Sequence, residues 1–208
     1  MNRRTFLAGT GAVLLAAPFA AEAQQAAKVP RIGYLSLNLA GNPHTREAFR
    51  QGLRDPGYLE GRNVVIEYRD AEGKLERHPA LAAELVALKV DVIVAVSTPQ
   101  ALAAKQATRT LPIVFATAAD PVTGGLVTSL ARPGGNVTGL SALTPELIGK
   151  RLDHLKQAVP GVSLVAVLWQ PGGYGERTER DMLKEAEVAA LGLTIPQSFL
   201  LRAEAVIQ

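Results

Sequence analysis

The order of apolar runs and helical segments between residues 31 and 140 constrains the fold of this chain more than any other feature. Five short, mainly apolar runs are typical of strands, at residues 31–36, 64–68, 92–96, 112–116 and 136–140. Four segments with helical character separate them, at residues 44–55, 75–88, 99–107 and 125–131. Because parallel neighbours in a sheet need crossover helices between them, this order predicts a complete doubly wound α/β unit.

The third run is apolar along its whole length. Residues 92–96 read VIVAV, a continuous branched sequence that predicts a strand buried on both faces of a parallel sheet. Two hydroxyl residues and Pro99 follow, and proline is favoured at the first position of a helix.

A second α/β unit begins after residue 140 and is not completed. The sequence predicts a helix at residues 145–159, a strand at 163–169, a helix at 176–191 and a strand at 193–201. Two strands with two helices leave large apolar faces uncovered. We therefore expect an N-terminal lobe over residues 24–140 and a partial C-terminal lobe over residues 141–208.

The first 23 residues have the three parts of a bacterial export signal. Arg3 and Arg4 precede Phe6, a short apolar stretch follows, and a small-x-small cleavage pattern ends at Ala23. The alternative is a membrane anchor, but the apolar stretch is shorter than the roughly 20 residues that span a bilayer. We expect a cleaved signal of twin-arginine type and a periplasmic protein without stable membrane insertion, although the Sec route stays open.

Composition excludes several classes of protein. The chain has no cysteine, so disulfides, thiolate metal sites and a cysteine-linked lipid anchor are excluded. With 48% apolar and 20% charged residues it is typical of globular proteins. Its formal charge of +3 is spread along the chain and gives no sign of nucleic-acid binding.

Polar residues follow three of the predicted strands, at the edge where open parallel sheets bind ligands. Ser97, Thr98 and Gln100 follow the third strand, where hydroxyls and helix N–H groups suit an anion; the alternative is simple N-capping. Asp120 follows the fourth strand and is predicted either to accept from a ligand amine or to cap the next helix. Ser36 and Asn38 follow the first strand.

The sequence gives no support for catalysis, a metal or a cofactor. His44, His78 and His154 are predicted on a loop, at a helix start and in mid-helix, without a metal-ligand spacing. No G-x-S-x-G elbow and no glycine-rich nucleotide motif is present. The glycine-rich loop at residues 169–175 carries two aromatic residues that could stack on a ligand, but an exposed connection is the plainer interpretation.

An ordered series of segments resembles the substrate-binding proteins of ABC transporters, in the family that includes tryptophan- and tyrosine-binding members. The segments are residues 31–35 (RIGYL), 48–54 (AFRQGLR), 57–64 (GYLEGRNV), 119–122 (ADPV) and 132–139 (RPGGNVTG). The resemblance implies a type I periplasmic-binding-protein fold, with two Rossmann-like lobes that close on a small ligand.

The resemblance also implies roles for the strand-end residues. Ser97, Thr98 and Gln100 would hold the acidic end of the ligand and Asp120 its polar or amine end, while Ser36 and Asn38 would line the same edge. Gln170 stands where the family usually has asparagine. Members continue for roughly another hundred residues, as expected of a second full domain, so we expect this chain to be truncated.

The leading hypothesis is a non-enzymatic, periplasmic component of an ABC importer. It would capture an amino acid or related carboxylate between two lobes and deliver it to an inner-membrane permease. One alternative is an exported sensory or regulatory ligand-binding module, which shares the fold. A weaker alternative is an exported α/β hydrolase, for which no nucleophile with a base is found. Ligand identity and oligomeric state stay open.

Overall fold

A computed structural model of the protein describes residues 28–162, Val165, residues 172–174 and residues 176–189. The predicted signal segment and the predicted strand at 193–201 lie outside these residues, as does all of the strand at 163–169 except Val165. The described elements are, in chain order, β1 (Arg31–Ser36), α1 (Pro43–Arg54), β2 (Val65–Asp70), a 3-10 turn (Leu75–Arg77), α2 (His78–Ala87), β3 (Val92–Ala95), α3 (Thr98–Ala107), β4 (Ile113–Ala118), β5 (Val137–Ser141), α4 (Thr144–Ala158) and α5 (Glu176–Ala189).

The five strands form one parallel sheet in the order β2-β1-β3-β4-β5. The register places Tyr34 beside Val94 and Val94 beside Val114, so the even-numbered residues of these strands share one face of the sheet and the odd-numbered residues share the other. The predicted α/β fold with a parallel sheet is confirmed. His44, predicted on a loop, lies in the first turn of α1.

Helices α2 and α3 pack against each other and cover one face of the sheet. This face carries the hydrophobic core, because the inward residues of the four neighbouring strands β1, β3, β4 and β5 are buried there. The strand residues concerned are Leu35, Ile93, Ala95, Ile113, Phe115 and Val137. The helices contribute Leu81, Ala82, Leu85, Ala101 and Ala104.

The other face is covered only in part. Phe49 of α1 contacts Tyr34 with 4.9 Å between ring centroids, and Tyr34 contacts Tyr68 at 5.5 Å, so α1 lies over β1 and β2. Towards β5 the cover ends, and Val94 is half-buried while Leu140 is exposed. The prediction that residues 92–96 are buried on both faces is therefore wrong, because no described helix packs on the outer half of this face.

The connection between β4 and β5 contains turns and no α-helix. The prediction of a helix at residues 125–131 is wrong, and with it the prediction of four crossover helices. Gly125, Gly134 and Gly135 have φ values of +74°, +67° and +72°, which belong to the left-handed region that glycine tolerates best. The segment folds back on itself instead, since Leu126 and Val127 both donate their N–H groups to the carbonyl of Pro121.

Candidate functional site

The sheet order brings the carboxyl ends of β1, β3 and β4 together. The chain runs from β1 outwards to β2 and then returns to place β3 on the opposite side of β1. In open α/β sheets this reversal of strand order opens a crevice beyond the strand ends, where ligands bind. Ser36 ends β1 and Ser97 follows β3, so the two residues flank this reversal.

Helix α3 begins at this edge with Ser97 as its N-cap. Ser97 and Gln100 form a capping box, in which the Ser97 side chain is paired with the Gln100 N–H and the Gln100 side chain with the Ser97 N–H, so the capping alternative is present. Because Pro99 has no N–H group, the Thr98 N–H is the backbone donor of this first turn that the capping box does not use. A helix N-terminus carries partial positive charge and attracts anions. The start of α3 can therefore hold an anionic group such as a carboxylate.

The Gln100 side chain is 1% exposed and is fixed by three hydrogen bonds. Its Oε1 accepts from the Ser97 N–H at 3.2 Å and from the Ser97 hydroxyl at 2.5 Å. Its Nε2 lies 3.1 Å from Nε2 of His78, which is 2% exposed. Burial lowers the pKa of His78 below its ordinary value of 6.5, and the charge of Glu76 opposes that shift. His78 is thus held neutral beneath the site.

Thr98 ties the start of α3 to the end of β4. Its hydroxyl oxygen accepts a hydrogen bond from the Ala119 N–H at 3.3 Å, and the side chain is buried. Further along α3, the Lys105 ammonium donates to the carbonyls of Gly125 at 2.6 Å and Leu126 at 3.1 Å. Both ends of α3 therefore hold the chain that leaves β4.

Asp120 caps the turn that follows β4. Its Oδ1 accepts from the N–H groups of Val122 and Thr123, both at 3.0 Å. The capping alternative for Asp120 is thus present, although it caps a turn and not the predicted helix. Among the described residues, Oδ2 of Asp120 makes no hydrogen bond, which leaves one carboxylate oxygen at the edge of the sheet.

The side chain of Asn38 stabilises the loop that follows β1. Oδ1 of Asn38 accepts from the Gly41 N–H at 2.7 Å, so its carboxamide shapes the loop. The Ser36 side chain is buried, and in the described part of the chain its hydroxyl makes no hydrogen bond. The Ser36 hydroxyl is therefore not used by the described part of the fold.

Helix α5 brings a residue to this edge that the sequence analysis missed. Thr178 is 0% exposed, and its hydroxyl has no hydrogen-bond partner among the described residues. A Cβ atom added to Gly124 would lie 3.3 Å from that hydroxyl and 2.8 Å from the Asp120 carbonyl oxygen. The only sequence signal is that Thr178 precedes Met182 by one helical turn, on the buried side of α5.

Three remaining features do not enter the description of this edge. Gln170 lies outside the described residues. Within the ranges that the structure describes, no group of three histidine, aspartate or glutamate side chains could hold a metal ion. A cavity of about 120 Å³ between α1 and β2, lined by Arg50 and Tyr58, lies beside the start of β2 at the opposite end of the sheet.

Comparison with known proteins identifies the family. A sequence profile described as ABC transporter substrate binding protein matches residues 39–204. The chain belongs to this family. The predicted family resemblance is confirmed, and the family is one of solute-binding proteins.

Individual proteins that are similar to this chain agree with the family assignment. The tyrosine-binding protein of Clostridioides difficile (strain R20291) is 34% identical over 140 residues, which cover 67% of this chain and 40% of that protein. A conserved domain protein from Vibrio cholerae matches with a TM-score of 0.72 and 32% identity over 81% of this chain and 56% of that one. The ABC domain from Streptococcus pneumonia in complex with L-Trp matches at 0.68 and 27%, over 80% and 56%.

The family member described here spans about half the length of these solved structures and 40% of its curated relative. No helix in the described part of the chain is both long and apolar enough to cross a membrane.

Proposed function

We propose that this protein captures an amino acid or a related carboxylate at the carboxyl edge of its sheet, as the substrate-binding component of an ABC importer. The observation that carries the proposal is that Ser36, Ser97 and Asp120 follow the three adjacent strands β1, β3 and β4 at one edge of the sheet, with Ser36 and Ser97 on either side of the reversal in strand order. Family membership supports the same role.

The charges at this edge match a zwitterion. The start of α3 offers the Thr98 N–H and the positive end of the helix dipole to a carboxylate, since the Gln100 N–H is paired with Ser97 in the capping box. Asp120 offers Oδ2 to an ammonium group, since only its Oδ1 caps the turn. The Ser36 hydroxyl is available to either group. Asn38 supports the loop, and Gln170 is proposed to contribute from the second lobe.

Aromatic amino acids are the first ligands to test. One relative is named a tyrosine-binding protein, and one solved relative contains L-Trp. We propose that the ligand is bound between two lobes and passed to an inner-membrane permease, with residues 1–23 directing export to the periplasm. The catalytic alternatives have no support at this edge.

Ligand screening tests the capture role. A ligand that binds only the folded chain at about 100 times its Kd raises the free energy of unfolding by about 2.7 kcal/mol. We expect L-tyrosine or L-tryptophan to raise the melting temperature of the purified chain, with isothermal calorimetry giving the affinity. No shift with any amino acid, in a chain shown to be folded by circular dichroism, would count against capture.

Asp120→Asn tests the assignment of the ammonium site. Asparagine keeps an oxygen that can cap the turn but removes the charge, so we expect affinity for the amino acid to fall at least about tenfold while the fold is retained. Asp153→Asn, at an exposed position on α4, is the matched control. Equal affinities for both variants would refute the role of Asp120.

A further inference from the structure

A buried chain of hydrogen bonds joins α2 to the ligand edge through His78, Gln100 and Ser97. The three residues come from two helices and the N-cap between β3 and α3. His78 and Gln100 are both almost completely buried, and 22 residues separate them in the sequence. Gln100 lies between His78 and Ser97, so any effect of His78 on a ligand is indirect.

The chemistry of the donors fixes the direction of every bond. The Ser97 N–H can only donate, so the Gln100 oxygen faces Ser97 and the Gln100 amide nitrogen faces His78. That nitrogen can only donate, so Nε2 of His78 accepts and the ring proton is on Nδ1. The Ser97 hydroxyl then gives its single proton to Gln100. Because Ser97 Oγ also accepts from the Gln100 N–H in the capping box, it has one lone pair and no proton left for a further partner.

We propose that His78 is a positioning residue which, through Gln100, holds the Ser97 hydroxyl as a hydrogen-bond acceptor and so selects ligands that carry an N–H donor beside their carboxylate. This inference rests on the proposed function. It assigns Ser97 to the amino group of the ligand, whereas the family resemblance assigned it to the acidic end. The carboxylate is left to the Thr98 N–H at the start of α3.

The surroundings of His78 keep the arrangement in one state near neutral pH. Burial disfavours the imidazolium, and Glu76 on the preceding 3-10 turn is the charged group among the described residues that favours it. From α3 the uncharged Gln100 faces the ring. Protonation of His78 would place two donors opposite each other, and rotation of the Gln100 amide would then set its nitrogen against the Ser97 N–H. Acid therefore breaks the chain of hydrogen bonds.

Two pairs of ligands and two variants test the inference. Calorimetry compares L-tyrosine with 3-(4-hydroxyphenyl)propionate, and L-tryptophan with indole-3-propionate, between pH 4.5 and 8. Each propionate lacks only the amino group. In the unsubstituted chain the preference for the amino acid should decline as His78 is protonated at acidic pH. His78→Gln places a non-titrating acceptor at the same reach, so its preference should stay constant with pH.

His78→Leu removes the acceptor that fixes the Gln100 amide. The preference of this variant for the amino acid over the propionate should fall about tenfold at pH 7.5, which corresponds to the loss of one hydrogen bond to the ligand. His44→Gln, at an exposed histidine of α1, is the control and should keep the pH profile of the unsubstituted chain. Nitrogen-15 chemical shifts of the His78 ring provide a readout without ligand, with Nδ1 protonated and Nε2 bare at pH 7.5.

The outcomes separate the two proposals. If neither amino acid binds while the ring shifts are as expected, the capture of these ligands is refuted and the buried chain of hydrogen bonds stands. If both bind but His78→Gln has the same pH profile as the unsubstituted chain, the positioning role of His78 is refuted and capture stands. A protonated Nε2 at pH 7.5 overturns the inference directly, even if His78→Leu fails to fold.

Discussion

The two faces of the central sheet carry similarly apolar strand residues but are buried to different extents. On the face covered by α2 and α3, Ile113 is 0% exposed. Its neighbour in sequence, Val114, points to the opposite face and is 39% exposed. The strand sequences do not explain this difference. The helices do, because α1 lies over β1 and β2 and no described helix lies over β4 and β5 on that side.

The comparison shows that burial in a parallel sheet depends on the covering layer as much as on the strand. In β3 the residues alternate between fully buried Ile93 and half-buried Val94, although both are branched and apolar. An apolar strand sequence therefore shows that a residue can be buried, but whether it is buried depends on a helix covering that face. Paired substitutions on one strand, one for each face, measure this difference.

The largest difference is expected between Ile113→Ala and Val114→Ala. Truncation of Ile113 creates a cavity in the core and should lower the free energy of unfolding by about 2–5 kcal/mol. Truncation of half-exposed Val114 should lower it by only about 0.5 kcal/mol. Urea unfolding followed by circular dichroism measures both, and a similar cost for the two variants would contradict the comparison.

The next difference is expected on β5, between Gly139→Ala and Thr138→Ala. A Cβ atom at Gly139 would lie 2.2 Å from the Phe115 carbonyl oxygen and 2.4 Å from its ring, so β5 would have to move away from β4. We expect this overpacking to cost about 1–3 kcal/mol, against a few tenths for exposed Thr138. Chemical unfolding of both variants checks this, and a neutral Gly139→Ala would show that β5 is not held against Phe115.

A smaller change in the free energy of unfolding, of opposite sign, is expected at Thr178 of α5, which lies at the carboxyl edge of the sheet. Its buried hydroxyl has no partner among the described residues, so Thr178→Val keeps the shape and removes an unsatisfied group. The free energy of unfolding should rise by about 1 kcal/mol. Thr178→Ser keeps the hydroxyl and serves as the control. A loss of stability in the valine variant would indicate that the hydroxyl has a partner in solution.

The smallest expected effect is on the pH dependence of the free energy of unfolding. It concerns His78 of α2, on the face of the sheet that α2 and α3 cover. Because burial lowers the pKa of His78 in the folded chain, the unfolded chain binds more protons below pH 6.5. The contribution of His78 is therefore complete above that pH and is lost as the pH falls towards its folded pKa. Urea unfolding from pH 7.5 to 5 should show a shallower decline for His78→Gln, and parallel declines would contradict the assignment.

Sequence patterns predicted the strands and the sheet edge on which the candidate residues lie more reliably than the contacts among those residues. Strand β1 has the predicted bounds, and Ser36, Ser97 and Asp120 could be placed at one edge because parallel strands share their carboxyl ends. The pairing of Gln100 with His78 could not be predicted, since it joins two helices across the fold. Thr178 was missed for the same reason.

The helix predicted at residues 125–131 does not form, and turn residues and contacts from outside the segment explain why. The segment LVTSL has enough apolar residues to resemble a helix, but Gly124 and Gly125 precede it and Pro133 follows closely. Turn geometry at these positions, together with the bonds from Lys105, determines the conformation of the connection instead. Periodicity over a few residues does not detect such external contacts.

The anchoring of the β4–β5 connection at both ends of α3 has a thermodynamic consequence. Because Thr98 and Lys105 hold this connection in the absence of a ligand, the connection has little conformational entropy left to lose if a ligand binds at this edge as proposed. The proposed affinity should then come from contacts and not from the ordering of this connection. Neutralisation of Lys105, for example by acetylation, would release the connection and make each binding event order it again.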